Sequence, residues 1–262
     1  MLRISNIKID VYKNQEKILQ NEIEKILHVK TQEIKSYKIV KQSIDARKKD
    51  KICFIYQVDV DVIGNEAKIL KNCDKRVSIA DIKEYVLPQC GEIKLEHRPI
   101  VVGAGPAGLF AALMLAQMGY KPLLLERGQD VDTRTKDVRK FWEEGILNTE
   151  SNVQFGEGGA GAFSDGKLTT GISDIRCQKV LKELVKHGAP EDILYSFRPH
   201  IGTDVLKKVV KNIRFHIMAL GGEVCFGAKV TQLLLEDNAI KGVDKMWIRV
   251  RKMSENFGKR VS

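Results

Sequence analysis

Residues 99–126 constrain the fold of this chain more than any other stretch. Pro99-Ile-Val-Val runs into Gly103-Ala104-Gly105-Pro106-Ala107-Gly108, a Leu/Ala-rich run reaches Gln117, Gly119 follows as a stop, and Pro122-Leu-Leu-Leu ends on Glu126. Strand, glycine turn, helix and strand in that order predict a parallel β-α-β unit. In such a unit Gly103 permits the tight turn, Gly105 lets the backbone approach a pyrophosphate, and Gly108 allows close packing of helix on strand. The helix would start at the ligand, so its free N–H groups and positive dipole end would meet phosphate oxygens at Gly105-Pro106-Ala107. Glu126 follows Gly103 by 23 residues and is expected to accept hydrogen bonds from a ribose 2′-hydroxyl, whereas a 2′-phosphate would be repelled. The same glycines and Pro106 break the only long apolar stretch, so a membrane span is a poor reading of it.

A second glycine cluster, Phe155-Gly-Glu-Gly158-Gly159-Ala160-Gly161-Ala-Phe-Ser164-Asp-Gly-Lys167-Leu168, signals left-handed turns or close approach to a ligand, with a surface loop as the alternative. Its end has the spacing of a nucleotide-triphosphate loop, but Leu168 stands where a magnesium-binding hydroxyl is required, and the kinase or ATPase reading fails there.

Ahead of residue 95 the pattern is that of a small α+β layer. Residues 2–12 read as a strand, 16–27 as a helix, 36–44 and 52–63 as an antiparallel hairpin, and 66–70 and 79–85 as short helices. A boundary falls in residues 88–99, where two prolines and Gly91 interrupt the periodicity. Beyond it, 177–187 and 203–219 are expected as amphipathic helices and 223–226, 229–236 and 239–243 as short strands. The opening residues lack the uninterrupted apolar run of a secretory signal, and a cytoplasmic protein is expected. Five widely spaced cysteines predict reduced, mostly buried thiols, and no short ligand spacing suggests a metal. The net charge of +10 is partly a tail effect, since residues 244–262 carry six basic and two acidic side chains; nucleic acid and membrane are not expected partners.

The segments R-P-I-V-V-G-A-G-P-A-G-L-F-A-A-L-M-L-A, L-L-L-E-R-G and V-Q-F-G-E-G-G-A-G-A-F-S-D-G-K-L together resemble the bacterial family of uncharacterised FAD-dependent dehydrogenases, also called NAD(FAD)-utilising dehydrogenases. The resemblance covers roughly residues 1–243. It implies an α/β fold with a small α+β domain over 1–95, a glutathione-reductase-like FAD/NAD(P)-binding Rossmann domain over 96–243, and an atypical basic tail over 244–262. It implies FAD held by Gly103, Ala104, Gly105, Pro106, Ala107, Gly108, Glu126 and Arg127, with NAD(P)H a candidate electron donor. Gly158, Gly159, Ala160, Gly161, Ser164 and Lys167 are expected near the flavin end, and Val230 as a backbone partner of adenine. The implied activity is an FAD-dependent oxidoreductase acting on an unidentified small-molecule substrate or acceptor. The alternatives are an NAD-binding dehydrogenase or a non-catalytic nucleotide-binding remnant. The family's later segments, which complete the flavin and substrate sites, have no counterpart here, so a C-terminally truncated form is expected. His200 and Asp165 are the candidate proton-transfer groups, each with a structural role as the alternative.

Overall fold

The computed structural model describes residues 1–92, 95–163, 166–172 and 174–247. Their contacts gather into two compact units, residues 1–87 with 167–201, and 88–166 with 202–262.

The first unit is built on an antiparallel sheet in the order β2-β3-β1-β4, with β1 at Leu2–Asp10, β2 at Ile34–Asp45, β3 at Cys53–Val62 and β4 at Val77–Ile79. Helix α1, Gln15–Leu27, packs on it behind an Asn14 cap whose side chain accepts from the Lys17 N–H. Val58, Val60 and Val62 share the buried face, as their spacing predicts. In β1 the inward residues are Leu2 and Ile4, then Ile7 and Ile9; the register shifts between Ile4 and Ile7, where Asn6 takes a φ of 61°. That bulge lets an out-of-phase apolar pattern face one core. Truncating Ile4, fully buried in this core, to Ala is expected to cost about 2–5 kcal/mol in denaturant titration.

Two expectations are corrected in this unit. Residues 66–70 do fall within a helix, α2 at Glu66–Lys71, but 79–85 do not form one. Residues 77–79 are drawn onto the edge of β1 instead, and the Ala80 N–H donates to the Met1 carbonyl at 3.0 Å. Residues 167–201, expected in the Rossmann domain, cluster with the N-terminal sheet. The open edge of β2 explains this, because Gln42 donates its N–H to Tyr195 and accepts from Phe197 through its carbonyl, at 2.7 and 2.9 Å. Helix α3, Ile175–Lys186, belongs to this segment.

The second unit holds a parallel sheet in the order β5-β6-β7, at Ile100–Val102, Leu123–Leu125 and Glu223–Cys225. Helix α4, Pro106–Gln117, crosses from β5 to β6 and ends before Gly119, whose φ is 85°. Helix α5, Val131–Glu144, occupies a stretch that its polarity disguises as loop; Asp130 caps it, and Gly145 ends it in the left-handed region. Helix α6, Thr203–Ala219, leads into β7. A hairpin closes the described chain: β8 at Ala228–Glu236 and β9 at Ala239–Trp247 meet at Asp237 and Asn238, both at positive φ, as a tight two-residue turn requires. Four residues assigned to the tail, 244–247, are therefore strand, because β8 offers them a partner in a sheet separate from β5-β6-β7. Residues 248–262 lie outside the described residues.

All five cysteines are free thiols; Cys90 is exposed and the others are half-buried, which corrects the expectation of mostly buried ones. Among the described residues no helix is long and apolar enough to cross a membrane.

Candidate functional site

The three glycines of the turn differ in what they do. Gly103 has a φ of 92°, a conformation that other residues adopt only under strain, and its N–H donates to Leu125 at 2.7 Å. A Cβ on Gly108 would stand 1.8 Å from the Gly103 carbonyl oxygen, so helix α4 seats on the turn only without one. Gly105 has neither constraint: its φ and ψ of −69° and 180° suit any residue, and a Cβ there would meet nothing within 4 Å. It is also the N-cap of α4 and supplies no side-chain cap, while Pro106 lacks an N–H, so the first-turn donors nearest the turn are those of Ala107 and Gly108.

Glu126, directly after β6, has only 4% of its surface exposed. One carboxylate oxygen accepts from the Ala104 N–H at 2.6 Å and the other from the Gly128 N–H at 2.8 Å. The residue expected to hold a ribose thus also clamps the glycine turn to the strand end, and each oxygen keeps a second lone pair.

The second glycine cluster lies directly against the first. The Gly158 N–H donates to the Ala104 carbonyl at 2.8 Å, and a Cβ on Gly159 would come 3.0 Å from Pro106 Cδ and 3.4 Å from Gly105 Cα. Gly128 and Gly156 approach so closely that a Cβ on Gly128 would lie 2.5 Å from Gly156 Cα.

Beneath this loop sits Arg134, 0% exposed. Its guanidinium donates to the carbonyls of Asn152, Val153, Gly156, Glu157 and Gly159 at 2.7–3.3 Å, and stacks 4.6 Å from the Phe163 ring centroid. Burial pulls its pKa down to about 10, opposed by the charges of Glu126 and Glu157. Glu157 is equally buried; it accepts from the Val131 N–H and from Arg214, each at 2.8 Å, and burial pushes its carboxyl up. Sequence reasoning missed these groups. One signal was present: Val131, Arg134 and Val138 recur at helical spacing, which puts an arginine on the buried stripe of α5.

A cavity of about 260 Å3 opens between these loops and β8. Of the sequence-predicted residues, Gly103, Gly105, Glu126, Arg127, Gly159 and Val230 line it. Phe155 and Gly156 of the second glycine cluster, and Lys229, none of them named as an expected contact, line it too. Arg127 stacks 4.0 Å from the Phe155 ring centroid and pairs with Glu150, whose carboxyl is held below its usual range by Arg127 and then Lys229. Ala104 is buried behind the wall, Pro106 and Ala107 are exposed at the start of α4, and Ala160 and Gly161 open a 3-10 turn, Ala160–Phe163. Lys167 belongs to the first unit, in an isolated backbone bridge with His200. Ser164 and Asp165 lie outside the described residues.

Comparison with known proteins divides the chain in a similar way. Residues 1–61 match a domain of unknown function, DUF8436, and residues 101–153 match an NAD(P)-binding Rossmann-like domain. A Clostridium beijerinckii protein named "Uncharacterized protein" is 48% identical over 242 residues, which are 92% of this chain and 45% of that one. The chain thus spans less than half the length of this relative. The crystal structure of Thermovibrio ammonificans THI4 is similar over 58% of this chain and 48% of its own, at 17% identity and a TM-score of 0.35. Sequence match and geometry meet on the same segment: this is a mixed α/β chain whose residues 101–153 are similar to an NAD(P)-binding Rossmann-like domain.

Proposed function

We propose that the second unit binds a dinucleotide, FAD by the motif resemblance, as the cofactor-holding part of an FAD-dependent oxidoreductase with a glutathione-reductase-like layout. Gly105 carries the reading. The protein itself gives no steric or conformational reason for a glycine there, so the space left open by its missing Cβ fits a ligand that approaches the backbone. Gly159 abuts the same point, and the cavity that begins there ends at Glu126 and Val230.

In this reading the pyrophosphate lies over Gly105, Pro106 and Ala107, within reach of the first-turn N–H groups of α4. Glu126 accepts from the ribose through its remaining lone pairs, and the backbone of Val230 meets the adenine. Gly158, Gly159, Ala160 and Gly161 border the far side of the phosphates. Bound flavin would supply the hydride chemistry; the chain's own residues bind it, orient it and exclude water. An NAD-binding dehydrogenase is the second reading, favoured by the match of residues 101–153. The substrate and electron acceptor of the whole protein, and a cytoplasmic location without nucleic-acid or membrane partners, belong to the same proposal.

Calorimetric titration with FAD, NAD and ADP tests it. The wild-type chain is expected to bind FAD and ADP, and Gly105→Val to weaken both by about tenfold or more, which is about 1.4 kcal/mol. Its thermal midpoint should fall by no more than a few degrees, because valine fits the backbone conformation there but caps a helix less well than glycine. Full affinity in Gly105→Val would remove the pyrophosphate from this turn. Binding of NAD but not FAD would select the second reading.

A further inference from the structure

We propose that Glu150 is a specificity-determining residue of this site: it holds the two cations that line the cavity, Arg127 and Lys229, and so withholds them from a nucleotide phosphorylated on the ribose 2′-oxygen. The inference rests on the dinucleotide reading, in which Glu126 faces that ribose.

The placement of the charges carries it. Three charged side chains line the cavity, those of Glu126, Arg127 and Lys229. Both cations flank Glu126 through the backbone. Arg127 is its neighbour in the chain, and Lys229 follows Ala228, whose N–H donates to the Glu126 carbonyl at 2.8 Å. A guanidinium beside the ribose-facing acid is the group that accommodates a 2′-phosphate, and an ammonium next to it would add a second charge-assisted hydrogen bond. The lining alone therefore offers such a phosphate two donors against one repelling carboxylate.

Glu150 changes that balance from outside the lining. One of its carboxylate oxygens accepts from Arg127, through Nε at 2.8 Å and through an Nη, and the other accepts from Lys229 Nζ at 3.2 Å. The carboxylate is itself held in place, because the Glu150 and Ser151 N–H groups donate to the Asn148 side chain at 3.1 and 3.3 Å. Its carboxyl is kept below the usual carboxylate range, first by Arg127, so it stays ionised at neutral pH. A 2′-phosphate would have to draw both cations off Glu150 while standing beside Glu126. A nucleotide with a free 2′-hydroxyl makes no such demand, and Glu126 accepts from it directly.

Titrating ADP and 2′-phosphoadenosine 5′-diphosphate into the wild-type chain and Glu150→Gln tests this, since the two probes differ only in the 2′-phosphate. Wild type should favour ADP. Arg127 and Lys229 have 32% and 34% of their side-chain surface exposed, so solvent moderates the effect. Glu150→Gln should shift the ratio of the two affinities toward the 2′-phosphorylated probe by about fivefold or more. Adding Lys229→Met to Glu150→Gln should take back part of that shift. Glu150→Asp keeps the charge on a side chain one methylene too short to serve both cations, and should shift the ratio the same way by less; it carries the comparison if Glu150→Gln fails to fold. A wild-type preference for the 2′-phosphorylated probe, equal changes for both probes in these variants, an unchanged ratio, or a shift that survives Lys229→Met in full would overturn the inference and leave Glu150 a structural tie between β8 and the end of β6. A wild-type chain that binds neither ADP nor FAD would instead overturn the dinucleotide reading, and this inference with it.

Discussion

Gly108→Ala is expected to cost about 3 kcal/mol or more, the upper end for overpacking, and to lower the thermal midpoint of the second unit by roughly 6 °C or more. The new methyl would stand 1.8 Å from the Gly103 carbonyl oxygen. Neither partner can yield cheaply. Gly103 is held by its 2.7 Å bond to Leu125, and its φ of 92° leaves little room for adjustment. Helix α4 is pinned from the other side, since Leu109, Ala112, Leu113 and Ala116 are buried beneath it. Lifting the helix would open the core that those residues fill. Differential scanning calorimetry decides the point: a midpoint within a degree of wild type would mean that α4 can slide, and that Gly108 is not what seats it.

Glu126→Gln is the second large effect, and it should appear without any ligand. A carboxamide has one acceptor oxygen, so either the Ala104 or the Gly128 N–H would face an NH2 group. Leaving a buried donor without its acceptor costs about 1–3 kcal/mol, more when the lost partner was charged. A fall of roughly 4–8 °C in the midpoint of the nucleotide-free protein is expected, from about 2 kcal/mol. Nucleotide affinity should fall as well, because the glycine turn would lose its anchor to β6. Unchanged stability accompanied by lost affinity would assign Glu126 to the ligand alone and contradict the clamp seen at 2.6 and 2.8 Å.

These two residues mark the limit of what can be read along the chain. Gly108 and its packing role were legible because the strand, turn and helix are contiguous, and the steric demand acts between residues five apart. Glu126 was expected to face a ribose, and its part as a clamp was not legible, since no spacing rule reveals that its two oxygens are shared between Ala104 and Gly128. Arg134 was hidden in a helix rich in charge, and only Val131 and Val138 on the same stripe hinted that it points inward. The short segment 79–85 read as helical by its own periodicity and lost to the edge of β1, a partner nearly eighty residues away in sequence. Residues 167–201 carry an amphipathic helix that any reading would find, yet nothing local says which sheet receives it.

Alone, the amino-acid sequence determined the antiparallel N-terminal layer, the parallel β-α-β unit and the three glycines of its turn. Period-two and helical apolar patterns, turn chemistry and glycine's conformational freedom all act over a few residues. Only the tertiary structure decided that the second glycine cluster lies on the first, that Arg134 is buried beneath it with carbonyls as its partners, and that Glu126 ties the turn to the strand. Those outcomes turn on which distant groups satisfy a buried N–H, carbonyl or charge, and such pairings are settled by the packing of the whole unit rather than by any stretch of the chain.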